Sequence, residues 1–263
     1  MKICIIGDPH GKVKASKSVL KKADLILLTG DIGKADLARK QAFERIRRER
    51  EGLPELKPDK KQEKAGWIEI YNSTISILKN LTKFAQVYSI LGNVGTSTDS
   101  QIKKEEKKLG IKLPYIRSGM NNVKNFNLVI NNIRRINGLK IGFLDYFVDT
   151  CWIKEFRAKG EKYSGAKKET LKAKKILKRF NKVDILVCHQ PPYGILDKVT
   201  WSKAPKHWKG KHAGSKVILD YIKKKQPRYV FCGHIHEGKG KKKIGKSEVY
   251  NVGVNGDYLL LDI

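Results

Sequence analysis

Two histidines one residue apart, His234 and His236, follow the apolar run Val230-Phe231-Cys232 and a single glycine, Gly233. Neutral imidazole is the commonest protein ligand for transition metals, and at a strand-to-loop junction both rings can swing into one cleft. The same arrangement recurs along the chain. Asp8 and His10 follow the apolar run 2–6 through Gly7, Asp31 follows 25–29 through Gly30, Asn93 follows 85–91 through Gly92, and His189 ends the run 183–188. Oxygen donors from two aspartates and an asparagine, mixed with four imidazoles, suit Mn²⁺, Fe or Zn²⁺ better than Ca²⁺ or a lone structural Zn²⁺. Seven donors are too many for one ion. Two ions about 3.5–4 Å apart, bridged by a carboxylate, are the natural solution, and that arrangement hydrolyses phosphate esters. Each residue also has an ordinary reading: Asp8 and Asp31 as helix N-caps, Asn93 as a turn residue, His189 as a satisfied core histidine.

The elements that must position these residues follow from periodicity. The apolar runs are short and continuous, as in strands buried on both faces, and ligand sites in open α/β sheets lie outside the carboxyl ends of such strands. Helices are expected over 12–22, 34–51, 67–84, 99–109, 150–181 and 215–224, and a charged loop over 57–64. In the helix over 34–51, Leu37, Phe43 and Ile46 are the apolar positions. The region 34–84 reads as a helical excursion between two strands of one sheet. Strands are expected at 126–130, 133–137 and 139–147, with Asn137-Gly138 as the strongest hairpin signal. A Lys-rich hairpin around 238–246 and strands at 247–252 and 257–262 close the chain. No repeat or linker divides residues 1–263, so one domain is expected.

The chain has 263 residues and a formal charge of +30, from 56 Lys+Arg against 26 Asp+Glu. Such a balance attracts phosphate-rich partners, nucleic acid among them, although lysines spread over helix faces also serve as solvated surface. Cys4, Cys151, Cys188 and Cys232 form no CxxC pair and lie mostly inside apolar runs, which points to reduced thiols and a cytoplasmic location. No run approaches the length of a membrane span, so no membrane association is expected.

The order D-x-H, G-D, G-N, H, G-H-x-H, running from Asp8 to His236, resembles the calcineurin-like metallophosphoesterase superfamily. The segments 188–194 and 233–238 further resemble its metallophosphoesterase-domain (MPPED-like) phosphodiesterase branch. The resemblance implies an α/β, four-layer αββα sandwich with two mixed central β-sheets. It implies one metal on Asp8, His10 and His236, a second on Asn93, His189 and His234, and Asp31 bridging them. It also implies two divalent cations, with manganese favoured for activity, and in-line attack on phosphorus by a metal-bridging hydroxide.

One block departs from the pattern. Most of the superfamily has Gly-Asn-His followed by Asp or Glu, where the histidine serves the leaving group; here the block is Gly92-Asn93-Val94-Gly95. A positioned acid is worth roughly 10²–10⁴ in rate, so two metals alone leave room for useful turnover. Relatives with cysteine in that position retain phosphodiesterase activity, whereas a retromer subunit of this fold lacking the histidine serves as a scaffold. The expected function is a binuclear phosphoesterase acting on diesters of nucleotide or nucleic-acid type. The alternative is an impaired scaffold or nucleic-acid-binding protein. The loop 190–213 leaves His189 carrying aromatics among lysines, which reads either as a phosphate-and-base clamp or as a small satellite core. From it, His212 is the expected replacement for the missing acid, with Asp31 and Asn93 the other catalytic candidates. His207, Tyr193 and Lys211 are the expected substrate contacts. Oligomeric state and natural substrate are not specified by these residues.

Overall fold

The computed structural model describes residues 1–56, 59–156, 164–202 and 204–263. In chain order the strands are β1 (Lys2–Ile6), β2 (Leu25–Leu28), β3 (Gln86–Ser89), β4 (Phe126–Leu128), β5 (Asn132–Ile136), β6 (Leu139–Leu144), β7 (Ile185–Cys188), β8 (Tyr229–Cys232), β9 (Gly240–Ile244), β10 (Ser247–Asn251) and β11 (Tyr258–Asp262). The α-helices are α1 (Lys17–Leu20), α2 (Asp36–Arg50), α3 (Lys60–Leu81), α4 (Asp99–Leu109), α5 (Ile116–Asn121), α6 (Thr150–Phe156), α7 (Ser164–Phe180) and α8 (Lys216–Lys225). They build two mixed sheets, ordered β11-β1-β2-β3-β4 and β5-β6-β7-β8-β10-β9.

The layering follows from side-chain alternation along the strands. Successive residues of a strand point to opposite faces. Ile3 and Ile5 of β1 and Leu25 and Leu27 of β2 therefore pack toward the second sheet, against Phe143, Ile185, Val187 and Phe231. Cys4, Ile6, Ile26 and Leu28 point the other way, onto Leu78 and Leu81 of α3 and Met120 of α5. On the far side, Leu186 and Val230 meet Leu177 and Phe180 of α7 and Ile218 and Ile222 of α8. The result is helix, sheet, sheet, helix, with burial on both faces of each central strand.

β1, β2 and β3 run parallel, as do β7 and β8, so their carboxyl ends share one edge of each sheet. Beyond the strands the loops stay paired. The His10 amide donates to the Asp31 carbonyl (2.9 Å), the Asp31 amide to the Leu91 carbonyl (2.8 Å), and the Gly233 amide to the His189 carbonyl (2.9 Å).

Several local expectations change. The helix over 12–22 is a single turn, α1, because Ser16 caps it at Val19 and little apolar surface follows. α3 begins at Lys60, where Asp59 accepts the amides of Lys61 and Gln62, so most of the expected charged loop is helix; residues 57–58 lie outside the described residues. The helix expected over 150–181 is seen as α6 and α7, with 157–163 outside the described residues. α5 was not expected; its Ile116 and Met120 are buried, but six residues carry too little periodicity to reveal it. β6 stops at Leu144 instead of running to 147. The Asn137-Gly138 hairpin forms as expected: Ile136 pairs with Leu139, and both turn residues have positive φ (47° and 81°). β2 and β3, on either side of residues 34–84, are parallel neighbours in one sheet.

Candidate metal centre and its cleft

All seven side chains singled out by the strand-end pattern meet at the shared edge of the two sheets. Asp8, His10 and His236 present ligand atoms within 4.8 Å of one another, and so do Asp8, Asp31 and His189. His10 Nε2 and His236 Nε2 stand 3.3 Å apart. Asn93 Oδ1 lies 2.8 Å from His189 Nε2 and 3.0 Å from His234 Nδ1. Asp31 Oδ2 sits between these two groups, 3.7 Å from His10 Nε2 and 3.6 Å from His189 Nε2.

The backbone is bent to achieve this. His10, Asp31 and His234 all have positive φ (44°, 46° and 64°), a region non-glycine residues rarely occupy and which concentrates at functional sites. Two glycines leave the room. A Cβ on Gly92 (φ +83°) would fall 2.3 Å from Asp31 Oδ1, and one on Gly233 would fall 2.2 Å from Asp8 Oδ1.

Asp8, His189 and Asp31 are each held by further partners. Thr29 Oγ1 donates to Asp8 Oδ1 (2.6 Å) and accepts the Asp8 amide (3.1 Å), while the His234 amide donates to Asp8 Oδ2 (2.5 Å). His189 Nδ1 lies 2.8 Å from the Thr29 carbonyl. A carbonyl can only accept, so Nδ1 carries a proton and Nε2 is the nitrogen turned toward the cluster. Asp31 Oδ1 accepts the amides of Asn93 (2.7 Å) and Val94 (2.8 Å), which turns Oδ2 toward the histidines.

Burial sets the protonation states. It pushes the Asp8 carboxyl up to about 6, against the pull of His189. Burial also acts to raise Asp31, but His189, His10 and His234 together hold it below the usual carboxylate range. His234 is driven down to about 3 and His236 to about 4, first by burial and then by neighbouring imidazoles. His10 is lowered first by burial and then by Arg39 and His189, against the pull of Asp31. Burial would lower His189 too, but Asp31 and Asp8 raise it above the ordinary value. Imidazoles and two carboxylates converging at these distances, against glycines that leave no space for a Cβ, fit divalent transition ions.

A cleft of about 730 Å³ opens onto this cluster, with Asp31, Asn93, His234 and His236 at its base. One wall is α2, through Arg39, Phe43, Ile46 and Arg47; the other is the segment 199–213, through Trp201, Trp208 and their neighbours. Phe43 and Ile46, the apolar positions of that helix, are 46% and 41% exposed, because α2 turns them toward the cleft.

The four loop residues expected at the substrate do not line it. The Asp197 carboxylate draws His212 away, 2.7 Å from its Nδ1, and the same buried carboxylate accepts the amides of Gly194 and Gly214. Lys211 Nζ donates to the Glu155 carbonyl (2.5 Å) and lies over the Phe156 ring. The Tyr193 hydroxyl donates to Glu155 Oε1 (3.1 Å). His207 is exposed beside Trp208. Of the two readings of this loop, the satellite core holds for Trp208, which packs with Phe156, Val199, Ala213 and Ile235; Trp201 stands clear and meets Phe43 at 6.0 Å. Lys203 lies outside the described residues.

Other residues complete the site. Asp145, just past β6, accepts the amides of Leu91 and Gly92 (both 3.0 Å) and so holds the loop that carries Asn93. Tyr146 lies edge-on to His189 (5.8 Å between ring centroids) and tilted against His234 (5.3 Å). Glu237 fastens the second wall to the histidine loop by accepting the amides of Thr200 and Trp201 (2.9 Å each). The signal for Asp145 was present, a carboxylate just beyond a strand; strand β6 was read three residues too long to expose it.

The sequence profile of calcineurin-like phosphoesterases matches residues 1–238. Among curated proteins, none is significantly similar in sequence. One crystal structure superposes with a TM-score of 0.62 at 15% identity, covering 99% of this chain and 94% of the other. The phosphopantetheinyl hydrolase of Mycobacterium tuberculosis superposes with a TM-score of 0.50 at 12% identity, over 96% of this chain and 89% of its own. At these identities the likeness is one of fold.

Proposed function

Since this chain belongs to the calcineurin-like phosphoesterase family, a family of metal-dependent phosphoesterases, we propose that it hydrolyses phosphodiesters at a binuclear centre. The observation that carries the reading is the position of Asp31 Oδ2, within 3.7 Å of one imidazole from each of two donor groups. Asp8, His10 and His236 would hold one ion and Asn93, His189 and His234 the other, with Asp31 shared. Bound there, two divalent ions would supply an activated nucleophile and neutralise charge developing on the phosphoryl oxygens. Manganese is the ion we favour for activity, with iron and zinc as the other fits.

The chain's own part is positional. Thr29, Asp145 and the amides of Asn93 and Val94 fix the ligands before any ion arrives. Preorganised groups of this kind need no rearrangement as the reaction proceeds. Diesters are favoured over monoesters because Val94 offers no proton to a leaving group. Among the described residues no helix is long and apolar enough to cross a membrane, and all four cysteines are free and buried, which supports a reducing compartment. The test is a metal count on the purified protein together with assays of chromogenic mono- and diesters in Mn²⁺. Two ions per chain and diester turnover that Asp31→Asn abolishes are expected. Full metal occupancy without turnover would favour a scaffold.

A further inference from the structure

The cleft differs from the rest of the surface in its chemistry. The chain carries 56 Lys+Arg, yet among the described residues no lysine lines the cleft; its cations are Arg39 and Arg47. Arg47 is already engaged, donating to Glu44 (2.9 and 2.8 Å) and to Glu51 (3.0 Å). Arg39 has no carboxylate partner among the described residues, and it lines the same cleft as Asp31 and His236. Phe43, Ile46 and Trp201 line the same cleft, each more than two-fifths exposed. Large apolar side chains left uncovered together, next to a reactive centre, mark a surface that something apolar covers.

We propose that the cleft between α2 and the segment 199–208 recognises a planar, apolar organic group carried by a small phosphate ester. The group lies against Phe43 and Trp201 while Arg39 takes a phosphate oxygen. The inference rests on the phosphoesterase reading above and adds the substrate class. A polynucleotide is the poorer fit. Its backbone is tracked by a row of cations that releases many counterions, and among the described residues one unengaged arginine does not make such a row. Flat rings, by contrast, gain from stacking and edge contacts with Phe and Trp beyond the area they bury. Glu237 holds Trp201 in place through the Thr200 and Trp201 amides, so this wall is tied directly to the residue after His236.

The experiment compares two diesters with the same 4-nitrophenolate leaving group, one with a methyl and one with a naphthylmethyl second arm. In the metal-loaded full chain the naphthylmethyl ester is expected to show kcat/KM roughly tenfold or more higher, the scale on which an apolar pocket discriminates. The gain should sit mainly in KM. The preference should collapse toward unity in the Phe43→Ala/Trp201→Ala double variant and persist in Leu171→Ala, which removes an equally exposed apolar side chain on α7. A second readout needs no turnover: calorimetry of naphthylmethylphosphonate against methylphosphonate, on wild type and the double variant. Equal kcat/KM for the two esters, a preference unmoved by the double variant, or salt-sensitive displacement of the naphthyl ligand by single-stranded oligonucleotide would overturn the assignment while leaving the hydrolase reading intact. Phosphonate binding that depends on Phe43 and Trp201, with neither ester hydrolysed, would keep the cleft and remove the activity.

Discussion

The Val94 amide donates a 2.8 Å hydrogen bond to Asp31 Oδ1. The residue that removes a proton donor from the site thus still builds it through its backbone. With the Asn93 amide on the same oxygen, two donors spend Oδ1 and leave Oδ2 for metal. Asp31→Asn keeps an acceptor for both amides but loses the charge. It is expected to unfold within a few degrees of the wild type while its metal content and diester turnover fall at least ~100-fold, since removing even a supporting partner weakens metal binding about 10–100-fold. Calorimetric unfolding beside elemental analysis checks both halves; wild-type metal content in the variant would remove Asp31 from the centre.

Asp145 performs the equivalent task one loop away. Burial raises its carboxyl, against the pull of the amides it accepts, and its loss would leave the Leu91 and Gly92 amides unpaired in the interior. Asp145→Ala is expected to destabilise by about 2–3 kcal/mol and to weaken metal binding about 10–100-fold. Asp145→Asn, which keeps one acceptor, should recover most of the stability. Urea unfolding and metal titration of the two variants, side by side, decide it.

Gly233 offers a purely steric test. An alanine Cβ there would stand 2.2 Å from Asp8 Oδ1, and the Asp8 carboxylate is pinned by Thr29 and the His234 amide and has nowhere to retreat. Gly233→Ala should therefore cost about 1–3 kcal/mol in stability and expel metal. Ala substitution at Gly194, where no atom lies within 4 Å of the added Cβ, serves as a control for the bulk of the methyl, although its φ of +78° carries its own small strain. A Gly233→Ala protein that binds metal with wild-type affinity would show that the cluster has slack the geometry denies.

The cluster was legible because five of its seven side chains obey one local rule. A strand buried on both faces reads as a short apolar run, and the residue just past its carboxyl end lies at the sheet edge. Asp8, Asp31, Asn93, His189 and His234 could be located that way without knowing how the strands order. The cleft was not legible for a related reason. Phe43 and Ile46 recur at helical spacing, and spacing shows that they share a face without showing what that face meets. His212 and Lys211 misled because adjacency to His189 in sequence says nothing about a partner such as Asp197, which became visible only once the loop closed on itself. α5 and the early start of α3 depend on burial and capping over a single turn, below what periodicity resolves.

Asp257 gives the fold a pH dependence away from the metal centre. Burial alone would raise its carboxyl, but Lys14 (2.5 Å) and Lys239 (3.0 Å) hold it below the ordinary 3.8. A carboxylate with a folded value below its unfolded one adds stability that is complete above the unfolded value and disappears as pH falls through the folded one. Both lysines are more than half exposed, so solvent screens the pair to about 1 kcal/mol or less. Asp257→Asn should be less stable than wild type at pH 7 and indistinguishable from it near pH 2, with 1 M salt shrinking the gap at pH 7. A gap that widened in acid would contradict the assignment.

The strongest kinetic expectation comes from what Val94 lacks. With no group there to protonate a departing oxygen, and with His212 engaged by Asp197 instead of facing the cleft, the leaving group must carry its own charge away. A positioned acid is worth roughly 10²–10⁴ in rate, and only esters with poor leaving groups need it. Across a series of phosphate diesters sharing one arm, log kcat/KM should therefore fall steeply as the pKa of the departing alcohol rises, so that alkyl leaving groups lag nitrophenyl ones by orders of magnitude. Val94→His should flatten the slope by accelerating the alkyl esters and leaving the nitrophenyl esters nearly unchanged. A shallow slope in the wild type would mean that another group, with Tyr146 beside His189 and His234 the nearest phenol described, already delivers the proton. In that case Tyr146→Phe, and not the residue at 94, would steepen it.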